Sequence, residues 1–239
     1  MPQSWFSWKG IDCRAMGVIM QGPAPIIRPE ERVKHVEIPG RSGDLTQAEG
    51  EQVYNSYIQT VSIAVKSGAR VREIYKWLRG SGYVTFSGEP DRRQQARVIG
   101  AITLNRHSRN LDWWEGECQF YCQPLKELMQ EAKQTVTGSG STVINMGDVD
   151  AKPMLKVVPS STSCTVAANG HTPALAVTGL TGGTAIWVDC DTMEVWNAAK
   201  TALLTKNSAG DFPVLQPGAN TLAWTNVTSI EIEKRQRFL

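Results

Sequence analysis

Between Tyr57 and Val65 the chain alternates: Tyr57, Gln59, Val61, Ile63 and Val65 share one face of an extended segment, and polar residues fill most of the other. That period of two predicts a strand with one buried face. The period then changes. Val71, Ile74, Tyr75 and Leu78 recur at i, i+3, i+4 and i+7, which predicts a short helix over 68–79, opened by Ser67 and ended by Gly80. Further strands are expected at GYVTF and RQQARVIGAITL, separated by a turn, SGEPD. A polar loop, NRHSRN, leads into LDWWEGECQFYCQ. There Trp114, Gly116, Cys118, Phe120 and Cys122 take one face, and Trp113, Glu115, Glu117, Gln119 and Tyr121 the other.

Residues 124–152 are polar and rich in small side chains, as a linker is. Beyond them short apolar segments recur every 8–12 residues or so, the spacing of a β-sandwich: PMLKVVP, SCTVAAN, ALAVTGL, AIWVDC, MEVWNA, NTLAWTN and SIEIEK. The expected fold class is mainly β. Residues 1–132 form a β-rich domain carrying one helix, and residues 133–239 an all-β sandwich.

Composition adds limits. The chain has 239 residues, 41% hydrophobic and 20% charged, which is globular rather than disordered. A net charge of +2 is too balanced for a dedicated nucleic-acid binder. Lys9, Asp12 and Arg14 interrupt the stretch where a signal peptide needs an apolar core, and no window of about 18 apolar residues exists to span a membrane. Five cysteines without regular spacing exclude a complete disulfide framework, so folding in a reducing cytosol is expected.

HVEIPGRSGDLTQ, residues 35–47, has the glycines of a phosphate cradle, but no helix start follows to aim backbone amides at an anion. Pro39-Gly40 instead suits a type II turn. Cys118 and Cys122 have a ligand-like spacing; on a strand they stand roughly 13 Å apart, too far for a disulfide and unsuited to one metal, and they read as buried thiols. His35, His107 and His171 are scattered away from zinc spacing, and no Gly-x-Ser-x-Gly elbow occurs. No catalytic, cofactor-binding or metal residue is therefore assigned. Arg72, Lys76 and Arg79 read as a solvated helix face. The acidic candidates are Asp148 with Asp150, and Asp189, Asp191 and Glu194, and the latter stretch supplies too few oxygens for calcium. WVDCDTMEVW reads as a hairpin pairing Trp187 with Trp196, Val188 with Val195 and Asp189 with Glu194. The facing carboxylates are unfavourable unless a basic group lies near. Trp187 and Trp196 then face outward, where they could pack, join another subunit or stack on a sugar.

Several segments occur together in one order: VEIPGRSGDL before a β-branched strand, the helix SGARVREIYKWLRGSG, VTFSGEPDRRQQARVIG, and later DFPVLQPGANTLAW before a basic end, IEKRQRFL. This series resembles the distal tail protein (Dit) family of long-tailed, non-contractile bacteriophages. The resemblance implies a virion structural protein of the tail tip or baseplate and not an enzyme, with no cofactor. It implies a ring, usually hexameric, built by N-terminal domains, with galectin-like C-terminal sandwiches projecting outward. The implied partners are other copies of the chain, the tail tube protein, the tail-tip hub protein and the tape measure protein. DNA would pass through the lumen without specific binding. The implied location is the distal end of the virion tail, after synthesis in the host cytoplasm. No domain-sized carbohydrate-binding insertion is present. Two other readings stand beside it: a carbohydrate-binding adhesin or receptor-binding tail component acting through Trp187 and Trp196, and a cell-wall hydrolase.

Overall fold

A computed structural model describes residues 4–48, 50–108 and 111–239. The chain divides into two compact units, Met1–Met129 with Leu239, and Gln130–Phe238.

The first unit contains β1 (Phe6–Trp8), β2 (Ile11–Asp12), β3 (Val18–Met20), β4 (Val33–Val36), β5 (Leu45–Ala48) and β6 (Tyr57–Val65). A single 3-10 turn leads into α1 (Val71–Trp77), followed by β7 (Ser81–Phe86), β8 (Arg92–Ile99), β9 (Leu104–Ser108) and β10 (Leu111–Leu128). Its main sheet runs in the order β2-β1-β7-β8-β10-β6-β3. The alternation read from the sequence holds in β6 and β10: Val61, Ile63, Cys118, Phe120 and Cys122 are buried, and Ile58, Thr60, Ser62, Glu117 and Tyr121 are exposed.

β1 and the helix close this core together. Phe6 stacks on Trp77 with centroids 5.7 Å apart, and Trp8 and Phe6 both lie against Phe120. The two indoles exchange hydrogen bonds, Trp8 Nε1 donating to the Trp77 carbonyl at 3.1 Å and Trp77 Nε1 to the Trp8 carbonyl at 3.2 Å. Each buried indole N–H thereby finds the acceptor it needs.

Three local expectations change. The apolar stripe of the helix is Ile74, Trp77 and Leu78, while Tyr75 is exposed. RQQARVIGAITL is two strands, because Gly100 at φ +70° turns the chain between β8 and β9. Residues 105–108 of the supposed loop then pair with β10, where Arg106 faces Trp114 and Asn105 faces Glu115; residues 109 and 110 lie outside the described residues. The close approach of this connection explains Gly116, since a Cβ there would run into the Thr103 carbonyl.

The second unit contains β11 (Gln134–Val136), β12 (Ser141–Asn145), β13 (Met154–Pro159), β14 (Ser163–Ala168) and β15 (Leu175–Thr178). It continues with β16 (Ile186–Asp189), β17 (Glu194–Trp196), β18 (Ser208–Ala209), β19 (Gly218–Thr225) and β20 (Val227–Glu233). Two five-stranded sheets form, β11-β20-β13-β16-β17 and β12-β19-β14-β15-β18. Leu155, Val157, Val188 and Ile232 from the first and Val143, Val166, Leu175 and Leu222 from the second share one core cluster. That is a sandwich. The polar stretch 124–152 is more structured than its composition suggests. β10 continues through Leu128, and β11 and β12 pair with β20 and β19. Each of those two strands buries one face only, so Val136, Val143 and Asn145 carry the packing while Thr135, Thr142 and Ile144 face outward. Among the described residues no helix is long and apolar enough to cross a membrane.

Candidate interaction surfaces

The residues around Pro39 form an arm. Among the described residues β4 and β5 pair only with each other, Val33 with Ala48 through Val36 with Leu45. The Arg41 N–H donates to the Ile38 carbonyl at 3.1 Å and Gly40 has φ +80°, which makes Ile38–Arg41 a turn of the expected kind with Pro39-Gly40 at its centre. The stem is closed by backbone hydrogen bonds from Arg32 to Val53 and from Asn55 to Glu30, both 2.8 Å. Every residue of β5 is exposed, as are Ile26 and Ile38. A two-stranded hairpin with apolar side chains in solvent has little to stabilise it alone.

A second surface is the outer face of the β16–β17 hairpin. Its register is the one read from the sequence, with Trp187 opposite Trp196, Val188 opposite Val195 and Asp189 opposite Glu194. Ile186 and Val188 are buried and the two tryptophans half-buried. The basic partner required by the facing carboxylates is Arg235. Its guanidinium donates to both Asp189 oxygens, at 2.7 and 3.1 Å. The backbone N–H groups of Asp191 and Thr192 also donate to Asp189. Burial pushes the Asp189 carboxyl up, but these donors outweigh it and leave the group below the ordinary 3.8.

The indoles themselves do not stack: among the described residues no ring contact joins Trp187 to Trp196. Trp187 Nε1 donates to the Ala198 carbonyl at 3.2 Å, and Trp196 Nε1 to Glu194 at 3.3 Å. Three ammonium groups lie over the Trp187 ring, Lys200 at 4.0 Å, Lys156 at 5.6 Å and Lys133 at 5.8 Å from its centroid. Lys133 is also paired with Glu231 at 3.2 Å. The surface at Trp187 thus presents lysine charge over an aromatic base rather than a bare indole face.

The remaining candidates fall in separate places. Cys118 and Cys122 are buried free thiols, each pushed up to about 12 by desolvation. Arg72, Lys76 and Arg79 are exposed along the helix. His107 Nδ1 lies 3.4 Å from Glu115 in the first unit, His35 is exposed on β4, and His171 Nε2 lies 2.9 Å from Asp211 in the second. Asp148 and Asp150 precede β13, and the Asp148 N–H donates to the Arg237 carbonyl. Among the described residues no group of three or more His, Cys, Asp and Glu side chains could hold a metal.

The arm as an unsupported element and Lys200 over Trp187 carry no signature in the local sequence pattern. The His171–Asp211 pair has only DFP, residues 211–213, as its signal.

Comparison with solved structures gives a likeness over the whole chain. The SPP1 Dit (gp 19.1) protein, described as a paradigm of the hub adsorption apparatus in phages infecting Gram-positive bacteria, superposes with a TM-score of 0.78 at 19% identity, covering 99% of each chain. This is the Dit fold. The resemblance seen in the sequence segments is therefore matched by a likeness of fold over 99% of both chains. No family model and no curated protein matches the sequence.

Proposed function

We propose that the chain is a structural subunit of the tail tip of a long-tailed, non-contractile phage. It forms a closed ring, hexameric in the family it resembles, at the distal end of the tail between the tube and the hub. The first unit builds the ring and the second, a galectin-like sandwich, projects from it. Its partners are further copies of itself, the tail tube protein, the tail-tip hub protein and the tape measure protein, and DNA passes through without being held. The reading includes no catalytic role.

The observation that carries this is the extent of the structural likeness, 99% of both chains, since a lone sandwich would match many unrelated proteins. The exposed β4–β5 arm supports it. A closed ring needs a head-to-tail interface in which one surface of a subunit meets a different surface of the next, and an arm with solvent-exposed Ile38 and Leu45 is suited to such a reach. We assign Trp187 and Trp196 to packing and assembly rather than to sugar stacking, because Lys200 already lies over the Trp187 ring.

Electron microscopy of the purified protein, alone and with the tube protein, is expected to show rings, with light scattering giving the corresponding mass. A strict monomer at every concentration under both conditions overturns the proposal.

A further inference from the structure

We propose that the second unit carries a binding pocket for a neutral sugar, centred on Asp211. A cavity of about 410 Å³ is lined by Asp150, Asn169, His171, Asp211, Phe212 and Gln216, among others. That volume lies in the range of small-molecule sites and accommodates a hexose.

The walls are preorganised by one buried side chain. Asn220, 1% exposed, accepts hydrogen bonds at Oδ1 from the Gln216 N–H and from Asn169 Nδ2, both 2.8 Å. Its Nδ2 donates to the carbonyls of Gln216 at 2.7 Å and Gly218 at 3.0 Å. Asn169 in turn accepts from the Thr221 N–H at 2.9 Å. A single amide therefore holds both loops, 169–171 and 216–218, in fixed positions. The Asp211 N–H donates to the Pro173 carbonyl, and Asp211 Oδ2 lies 2.9 Å from His171 Nε2, which sets the carboxylate and the imidazole against each other.

Among the described residues three groups on this lining have no protein partner: Asp211 Oδ1, His171 Nδ1 and the Gln216 side-chain amide. Together they offer an acceptor, a ring nitrogen, and a donor–acceptor pair. That mixture fits hydroxyl groups, each of which donates and accepts. Phe212 and Pro213 supply an apolar wall for the C–H face of a sugar ring. Charge narrows the class. Asp211 lines the cavity and no Lys or Arg does, so an anionic ligand would meet repulsion. A basic peptide side chain is the competing occupant. It fits less well, because Lys and Arg groups carry no acceptor and would leave the Gln216 amide donor unmatched.

The inference is independent of ring assembly, and its test uses the full chain in whichever oligomeric state it adopts. Saturation-transfer NMR with glucose, galactose, mannose and N-acetylglucosamine, together with lysine and arginine amides, is run on the wild type and on the Asp211→Asn and Gln216→Ala variants. The expected result is transfer from at least one neutral sugar with a dissociation constant of about 1 mM or below, weakened at least about tenfold in both variants. Thermal midpoints should stay unchanged, since Gln216 contributes only its backbone to the Asn220 lattice. If Asp211→Asn does not fold, Gln216→Ala decides alone. No transfer from any sugar, transfer unaffected by the variants, or binding of the basic amides in place of the sugars overturns the proposal.

Discussion

At Asp189 a carboxylate faces another across a strand pair and is nevertheless 8% exposed. An unpaired charge at such a position would cost several kcal/mol, and the bidentate Arg235 together with two backbone N–H donors offsets that cost. The folded carboxyl sits below its ordinary value, so its stabilisation is complete above about pH 4 and is lost as the pH falls through the folded value. Asp189→Ala leaves Arg235 half-buried without a counter-charge and is expected to lower stability by about 3 kcal/mol at neutral pH. Denaturant titration at pH 7 and again near pH 2 checks this. The gap between wild type and variant should narrow at the acid end, and an unchanged gap would mean that packing, not charge, is what the substitution removes.

Along β10 the alternating pattern makes a prediction about reactivity. Cys118 and Cys122 face the same buried layer as Phe120 and are fully inaccessible. Desolvation raises both thiols to about 12, so almost no thiolate forms at pH 8 in the folded state, whereas an unfolded thiol returns to about 8.5. Thiol-reagent labelling at pH 8 should be slow in native protein and at least a hundredfold or so faster in denaturant. Fast native labelling, or a native disulfide between the two, would contradict the strand register. The β16–β17 hairpin yields a different expectation. Trp187 and Trp196 are opposite in register, yet their indoles serve separate partners, Ala198 with the lysines and Glu194. A double-mutant cycle with Trp187→Ala and Trp196→Ala should give a coupling below about 0.5 kcal/mol. A stacked aromatic pair would give about 0.5–1.5 kcal/mol, and urea unfolding of the four proteins distinguishes the two.

For the whole molecule the arm is the element whose own contacts explain it least. No residue of β4 or β5 is fully buried, so replacing residues 33–48 with a short Gly-Ser linker should leave the thermal midpoint of the monomer within a degree or two while abolishing ring formation in light scattering. Rings that persist would place the joint elsewhere. Much of this molecule is written locally. The alternation in β6, β10 and β13 states which face is buried, Pro39-Gly40 states a type II turn, and the spacing of WVDCDTMEVW states its own register. Local pattern fails where a strand is too short to show a period, as in Phe6–Trp8, Gln134–Val136 and Ser141–Asn145. It also fails where a lone glycine divides an apolar run, as at Gly100. No pattern along the chain could place Arg235 on Asp189, Lys200 over Trp187, or Asn220 between the loops of Asn169 and Gln216. Those contacts join residues distant in sequence, or turn on the path of a loop. Periodicity reports that a face is covered, and only the folded chain decides what covers it, because the partner of a strand face or of a charge is set by sheet order and loop geometry rather than by neighbouring residues.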